Sequence, residues 1–212
     1  MKSSLIFSLS VNASPPIIEN LYPSLIFQFQ DFWRMVWEQD ITLIAMVTGL
    51  IEGGRTKSER YWPTMTEWSD IRAPTTAAAE GDDPRVLEFG DFVITLVNEE
   101  VFDAYTIAEL RVLRDDWPDP RIIFHIWHNL WKDNDAPKVL DDIVDFLVAF
   151  RDLRETTAGP VLVHCNAGIG RTACLLAADT AVDQYFEEHK CDILRTVCLL
   201  REDRAASVPL KV

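Results

Sequence analysis

The sequence predicts an α/β domain in which helices pack against a sheet, and two patterns carry that prediction. Short apolar runs of strand length alternate along the chain with segments whose apolar residues recur at helical spacing. Such a mixture is typical of a sheet covered by helices. The 212 residues suffice for one sizeable core, so we expect a single domain over 1–212.

The first predicted elements are a helix and a buried strand. The stretch 31–39 has apolar residues at the spacing of a helix face, and the continuous apolar run 41–48 suits a strand buried on both faces. The stretch 64–84 is rich in Thr, Ala, Asp and Pro, which predicts a loop. For residues 1–14 a strand, a ragged terminus and a weak signal peptide all stay open.

The remaining elements alternate between the two types. Strand patterns cover 91–97, 106–113, 121–127 and 160–164. Helical patterns cover 138–154, 172–188 and a last stretch that Asp192 caps and that ends near Glu202.

Charge and cysteine content restrict the function. The formal net charge of −14 disfavours nucleic acid and anionic membranes as partners, and no apolar run is long enough to cross a bilayer. The four cysteines form no C-x-x-C pair and show no zinc spacing with the histidines, so we expect no metal and no cofactor. All four lie late in the chain, which favours a reducing, cytoplasmic location. Cys174, Cys191 and Cys198 are expected on helices and in the core.

The strongest local signal is the segment V-H-C-N-A-G-I-G-R-T, from Val163 to Thr172. An apolar strand ends at Cys165, a loop with two glycines follows, and a helix begins at Arg171 or Thr172. Loop amides and a helix N-terminus together favour an anion, and the glycines let the backbone curl around it. The segment predicts a phosphate site formed by Asn166, Ala167, Gly168, Ile169, Gly170 and Arg171.

The chemistry of the side chains assigns the catalytic roles. The Arg171 guanidinium offers a planar fork of donors to two phosphoryl oxygens. The same positive field favours the ionised, nucleophilic form of Cys165. Thr172 can hydrogen-bond this thiolate and ease its departure. A cysteine buried only for packing is the alternative; it fits a lone Cys after an apolar strand, but it does not explain seven positions of one pattern.

The pattern H-C-x-A-G-x-G-R-T at 164–172 resembles the signature of the protein tyrosine phosphatases. The segments D-F-W-R-M-V-W-E-Q at 31–39 and E-G-G-R-T-K-S-E-R-Y-W-P at 52–63 are similar to the tyrosine-specific branch, and the resemblance extends over 11–204. It implies a protein tyrosine phosphatase-like fold, a twisted mixed sheet flanked by helices. It also implies hydrolysis of phosphotyrosine in partner proteins through a cysteinyl-phosphate.

The family has a general acid in a W-P-D motif upstream of the cysteine, and this chain offers two candidates. W-P-D at 117–119 matches letter for letter and ends at Asp119, whereas W-K-D at 131–133 has Lys for Pro and ends at Asp133. Context favours Asp133, because 121–130 resembles the strand that leads into the family's acid loop. Asp119 precedes that strand, in a predicted hairpin turn.

The resemblance also implies supporting roles for three residues. Glu52 is expected to pair with Arg171 and orient it, and Lys57 is expected to approach the acid loop when that loop closes. Either could equally be a surface charge. His164 is expected to hydrogen-bond near Cys165 without acting as the acid.

Two departures from the family pattern keep the activity open. The family's substrate loop, whose Tyr stacks on the phosphotyrosine ring, would precede Val11 and has no counterpart, and 207–210 lacks the glutamine that positions the hydrolytic water. Three interpretations remain: a working phosphotyrosine phosphatase, a catalytically weak pseudophosphatase that binds phosphotyrosine proteins, and a defective gene fragment. Retention of Cys165, Arg171 and Asp133 favours the enzyme.

Overall fold

The structure, a computed structural model, describes residues 5–7, 22–65 and 83–209. The strands in this part of the chain are β1 (Leu5–Phe7), β2 (Leu43–Val47), β3 (Ile51–Glu52), β4 (Arg55–Thr56), β5 (Val86–Phe89), β6 (Phe92–Val101), β7 (Thr106–Arg114), β8 (Arg121–His128) and β9 (Val161–His164). The helices are α1 (Tyr22–Glu38), α2 (Leu140–Thr156), α3 (Arg171–Glu188) and α4 (Ile193–Asp203).

Seven of these strands form one mixed sheet in the order β1-β9-β2-β8-β7-β6-β5, and β3 pairs with β4 in a separate ribbon. The strands from β1 to β8 in this order are parallel, and those from β8 to β5 are antiparallel. The predicted α/β class, a mixed sheet flanked by helices, is therefore confirmed.

The sheet separates two hydrophobic cores, and β2 contributes to both. Its residues Ile44 and Met46 pack with α1 on one face, whereas Leu43, Ala45 and Val47 pack with the other three helices on the opposite face. Successive side chains of a strand point to opposite faces, so a strand covered on both sides has to be apolar throughout. The continuous apolar run at 41–48 has this cause.

Several predicted boundaries were wrong. Helix α1 starts at Tyr22, well before the predicted stretch 31–39, and Pro23 is tolerated because the first turn of a helix has no use for its missing N–H. Strand β5 was not predicted; it turns into β6 at Gly90, whose φ of 58° is left-handed. Of the predicted loop 64–84, residues 66–82 lie outside the described residues.

The expectation that the three accessory cysteines are core residues was wrong for two of them. Cys174 is partly buried on α3, but Cys191 is exposed ahead of α4 and Cys198 is exposed on it. The predicted cap of α4 is confirmed, since the Arg195 amide donates to the Asp192 carboxylate at 2.9 Å. Among the described helices none is long and apolar enough to span a membrane.

The parallel strands decide where the polar loops gather. β2, β8 and β9 are neighbours and run in the same direction, so their carboxyl ends meet at one edge of the sheet. The chain leaves β2 toward Glu52, β8 toward Asp133 and β9 toward Cys165. Segments far apart in sequence are thereby brought to one place.

Candidate active site

The loop that follows β9, residues 165–170, is called the cradle loop below. It connects Cys165, whose exposure is only 4%, to α3, which begins at Arg171. Gly168 has a φ of 69°, a left-handed conformation that lets the chain turn back on itself. The unpaired amides of the first turn of α3 and the helix dipole make this end of the helix attractive to an anion.

Arg171 lies at the centre of the site, with an exposure of 3%. Its Nη1 donates to Glu52 Oε1 at 2.5 Å and to the Trp131 carbonyl at 2.8 Å. In the described part of the chain, Nε and Nη2 have no hydrogen-bond partner although both are buried. Buried polar atoms are rarely left unpaired, so one side of the guanidinium is available to bind a ligand.

Glu52 joins Arg171 to the loop after β8, residues 129–137, which is called the acid loop below. Oε1 of Glu52 faces Arg171 and also accepts the Gly49 amide at 3.1 Å, while Oε2 accepts the Asp133 amide at 2.9 Å. Burial raises the pKa of Glu52, but the hydrogen bonds from Arg171, Asp133 and Gly49 outweigh burial and hold it below its ordinary value. The ionised Glu52 carboxylate therefore connects Arg171 to the acid loop.

Asp133 lies between two cations. Its Oδ2 accepts from Lys57 Nζ at 2.9 Å, and its Oδ1 lies 3.4 Å from Arg171 Nη2. Partial burial raises the pKa of Asp133. The Lys57 hydrogen bond and the charges of Arg171 and Lys57 outweigh burial and hold this pKa below its ordinary value. Within the loop, Trp131 Nε1 donates to the Asp135 carbonyl at 2.7 Å.

The second acid candidate lies far from this cluster. Asp119 is exposed in the turn between β7 and β8, at the start of β8, whereas Asp133 follows the end of the same strand. The eight residues of β8 separate the two turns by about 26 Å at ~3.3 Å per residue. Asp119 therefore lies at the opposite edge of the sheet from the cradle loop.

His164 is buried beneath the cradle loop and contacts Cys165 through the backbone. Its Nδ1 lies 3.2 Å from the Cys165 carbonyl, and its Nε2 lies 2.5 Å from the Tyr61 hydroxyl, which is also 3.0 Å from His125 Nε2. Burial lowers the pKa of His164 to about 4 and that of His125 well below its ordinary value, so both imidazoles are neutral. A neutral His164 that donates a hydrogen bond from Nδ1 to the Cys165 carbonyl can accept a hydrogen bond from the Tyr61 hydroxyl at Nε2.

A family comparison decides the relationship of the chain. The model of the family described as Protein-tyrosine phosphatase matches residues 25–211. The chain belongs to the protein-tyrosine phosphatase family. In this family member the cradle loop lies within the signature pattern at 164–172, and the acid loop contacts Arg171 through the Trp131 carbonyl and Asp133.

Curated relatives and a solved structure agree with this assignment. Mouse (Mus musculus) tyrosine-protein phosphatase non-receptor type 7 is 34% identical over 180 residues, 84% of this chain and 44% of that protein. Receptor-type tyrosine-protein phosphatase eta of Gallus gallus is 32% identical over 181 residues, 84% of this chain and 12% of that protein. A structure of PTPN18, from work on its fingerprint on distinct HER2 tyrosine phosphorylation sites, matches with a TM-score of 0.71 and 26% identity. That match covers 86% of this chain and 59% of the PTPN18 chain. The chain thus spans less than half of the length of these curated relatives.

The residues predicted from sequence are gathered at one edge of the sheet, with one contact missing. Thr172 is fully buried, but its hydroxyl has no hydrogen-bond partner among the described residues, so the predicted bond to the Cys165 sulfur is not formed here. Within the same residues, no group of three or more His, Cys, Asp and Glu is arranged to hold a metal ion.

Sequence reasoning missed three contacts of the candidate site. The Trp131 carbonyl accepts from Arg171, Tyr61 and His125 support His164, and Arg204 donates to the Ala167 carbonyl. The first and last involve backbone acceptors, which carry no residue-specific signal. Tyr61 lies within the 52–63 segment, but only the fold places it against His164.

Proposed function

We propose that this chain is a protein tyrosine phosphatase that hydrolyses phosphotyrosine in proteins through a cysteinyl-phosphate intermediate. The observation that carries the proposal is the buried Arg171, which follows the cradle loop: its Nε and Nη2 have no hydrogen-bond partner among the described residues, and Asp133 Oδ1 lies 3.4 Å from Nη2. Family membership and the relation of PTPN18 to tyrosine phosphorylation sites support phosphotyrosine as the substrate group.

In the first step the Cys165 thiolate attacks phosphorus, and the bond from phosphorus to the tyrosyl oxygen breaks. Asp133 transfers its proton to that oxygen, so tyrosine leaves as the neutral phenol. Arg171 and the amides of the cradle loop stabilise the charge on the phosphoryl oxygens. The enzyme then carries a sulfur–phosphorus bond and an ionised Asp133.

In the second step water attacks phosphorus and its proton passes to Asp133. The sulfur–phosphorus bond breaks, and inorganic phosphate and the Cys165 thiolate are released. Asp133 is ionised in the ligand-free site, because Lys57 and Arg171 stabilise the carboxylate. A bound phosphate dianion neutralises part of the positive charge of these cations and repels the Asp133 carboxylate. Both effects favour the protonated acid that the first step needs.

A pseudophosphatase that binds phosphotyrosine proteins is the second candidate. The observation that favours it is the sequence Ser-Val-Pro-Leu at 207–210, which offers no amide side chain to orient water. Formation of the cysteinyl-phosphate would then outpace its breakdown. A burst of released phenol followed by a negligible steady state would favour this candidate.

The test is hydrolysis of p-nitrophenyl phosphate by the purified chain in the presence of a chelator. We expect turnover, and we expect Cys165→Ser to abolish it while leaving tungstate binding intact, because the cradle amides and Arg171 remain. Cys198→Ser is the matched control, since Cys198 is exposed on α4, and it should retain wild-type turnover. Undiminished hydrolysis by Cys165→Ser would rule out the mechanism.

A further inference from the structure

The turn after α4, residues 204–208, has an unusual backbone. Ala206 has a φ of 64° and Val208 a φ of 51°, so two of its residues are left-handed and neither is glycine. A β-branched residue is rarely found in this region, because its side chain crowds the backbone. Such conformations persist only where surrounding contacts hold them, and they concentrate at functional sites.

The contacts that hold the turn come from two arginines and a serine. Arg201 donates from Nε to the Ser207 carbonyl at 2.9 Å and from Nη2 to the Val208 carbonyl at 2.8 Å. Ser207 is fully buried, and its hydroxyl donates to the Arg204 carbonyl at 2.8 Å. The left-handed backbone is thus stabilised by hydrogen bonds from the last turn of α4.

The turn contacts the cradle loop at two backbone carbonyls. Arg204 Nη2 donates to the Ala167 carbonyl at 3.1 Å, and the Val208 amide donates to the Ile169 carbonyl at 2.9 Å. A third carbonyl of the loop, that of Cys165, lies 3.2 Å from His164 Nδ1. Every second peptide of the cradle loop is therefore engaged through its oxygen by a group outside the loop.

Peptide geometry converts these contacts into the direction of the amides. In a trans peptide the C=O of one residue and the N–H of the next point in opposite directions, and the described chain contains no cis peptide. A carbonyl held outward therefore aims the following N–H inward. Peptide geometry therefore predicts that the amides of Asn166, Gly168 and Gly170, which follow the engaged carbonyls of Cys165, Ala167 and Ile169, point toward the centre of the cradle.

We propose that the turn 204–208 is a brace for the cradle and that Arg204 is a positioning residue for oxyanion binding. The inference rests on the proposed function, because it assumes that the cradle binds a phosphoryl group. Arg204 acts on the anion through the Ala167 peptide, which aims the Gly168 amide. Loss of Arg204 frees that peptide to rotate and costs the anion one aligned donor.

The test measures tungstate affinity by isothermal titration calorimetry for wild type, Arg204→Met and Arg195→Met. Arg195 is the matched control: it is an exposed arginine on α4, and its side chain forms no hydrogen bond or ion pair with the described residues. Both substitutions remove one positive charge, so the net charge of the chain changes equally. We expect Arg204→Met to weaken tungstate binding by roughly 10-fold or more, as for loss of one donor to a charged group, and Arg195→Met to remain within about twofold of wild type.

A second readout separates positioning from general destabilisation. We expect iodoacetamide to alkylate Cys165 of Arg204→Met at higher pH than in wild type, because a misaligned amide stabilises the thiolate less. A variant that has lost only stability would melt at lower temperature with an unchanged alkylation profile. If Arg204→Met does not fold, Arg204→Gln and Arg195→Gln replace the pair with the same expectation.

The outcomes distinguish this inference from the proposed function. Wild-type tungstate affinity in folded Arg204→Met, or an equal loss in Arg195→Met, would overturn the brace. Tungstate binding by wild type without hydrolysis would overturn the proposed phosphatase activity and leave the brace supported if Arg204→Met weakens that binding. A wild type that does not bind tungstate would overturn both.

Discussion

At the scale of single residues, the site is a balanced set of charges. Two cations, Arg171 and Lys57, face two carboxylates, Glu52 and Asp133, and each cation contacts a carboxylate within 3 Å. Formal charge alone therefore gives a ligand-free site no net attraction for a phosphate dianion. The attraction depends on unpaired donors of Arg171 and the cradle amides, and it increases when Asp133 takes up a proton.

The choice between the two aspartates is tested by isosteric substitution. We expect Asp133→Asn to lower kcat for phenyl phosphate by about 10²–10⁴-fold, because the phenolate then leaves without a proton. Asp119→Asn is the control and should change kcat by less than about twofold, since Asp119 lies beyond the opposite end of β8. The measurement is kcat from steady-state kinetics. An unchanged kcat in Asp133→Asn together with loss of activity in Asp119→Asn would assign the general acid to Asp119.

The ion pair between Lys57 and Asp133 predicts the pH dependence. Lys57 stabilises the carboxylate, so Lys57→Met raises the pKa of Asp133. Catalysis needs the protonated acid, and its fraction falls as pH rises through that pKa. The high-pH limb of kcat/KM for phenyl phosphate is therefore expected to shift to higher pH in Lys57→Met.

The control for this shift is Lys190→Met. Lys190 is exposed beyond the C-terminal end of α3, roughly 27 Å along the helix from the cradle at ~1.5 Å per residue. Its removal changes the net charge equally and should leave the limb in place. A limb that stays fixed in Lys57→Met, or that moves to lower pH, would argue against Asp133 as the titrating acid.

At the scale of elements, the site depends on how α3 and the turn after α4 are anchored. Arg151 of α2 donates to the carboxylate of Asp179 on α3 at 2.5 Å, and Arg154 donates to the same group. Burial raises the pKa of Asp179, and the two arginines offset that effect only in part. These ion pairs to the buried Asp179 fix α3 against α2 and thereby fix the position of Arg171 at the first turn of α3.

The strain in the turn after α4 predicts a stabilising substitution. Ala206 is exposed with a φ of 64°, a conformation that costs an L-residue about 1–2 kcal/mol but that glycine adopts freely. Glycine loses more chain entropy on folding than alanine, and this cost offsets part of the gain. The net effect of Ala206→Gly should be a free energy of unfolding higher by about 0.5–1 kcal/mol. Thermal denaturation should show a midpoint higher by roughly 1–4 °C.

Ala205 provides the neighbouring control. It is also exposed in the same turn, but its φ is not positive, so Ala205→Gly gains no relief and should leave the melting temperature unchanged or lower it. Equal midpoints for Ala206→Gly and wild type would mean that the left-handed backbone carries no cost at this position.

At the scale of the whole molecule, the topology gathers the residues of the proposed anion site although the chain as a whole is acidic. The formal net charge is −14, which repels phosphopeptides at long range. The parallel arrangement of β2, β8 and β9 brings the loops carrying Glu52, Asp133 and Cys165 to one edge, where the proposed function requires backbone amides and Arg171 to outweigh that repulsion locally. Two cores, one on each face, fix the strands whose ends form this edge.

The sequence by itself determined the α/β class, most of the strands and the family, because these follow from periodicity and from a nine-position pattern at 164–172. It also singled out Asp133 over Asp119 from the strand that precedes it, a choice that the position of Asp133 beside Arg171 supports.

Only the tertiary structure decided which groups meet across long sequence separations. Hydrogen bonds that no local pattern predicts join Glu52 to Arg171 across a sequence separation of 119, and Ala167 to Arg204 across a separation of 37. Two of the key acceptors are backbone carbonyls, of Trp131 and Ala167, which every residue type possesses. The direction of these two carbonyls depends on the strand order and on the left-handed turn after α4. Packing of the complete fold sets both features, so the local sequence around the donating residues does not determine them.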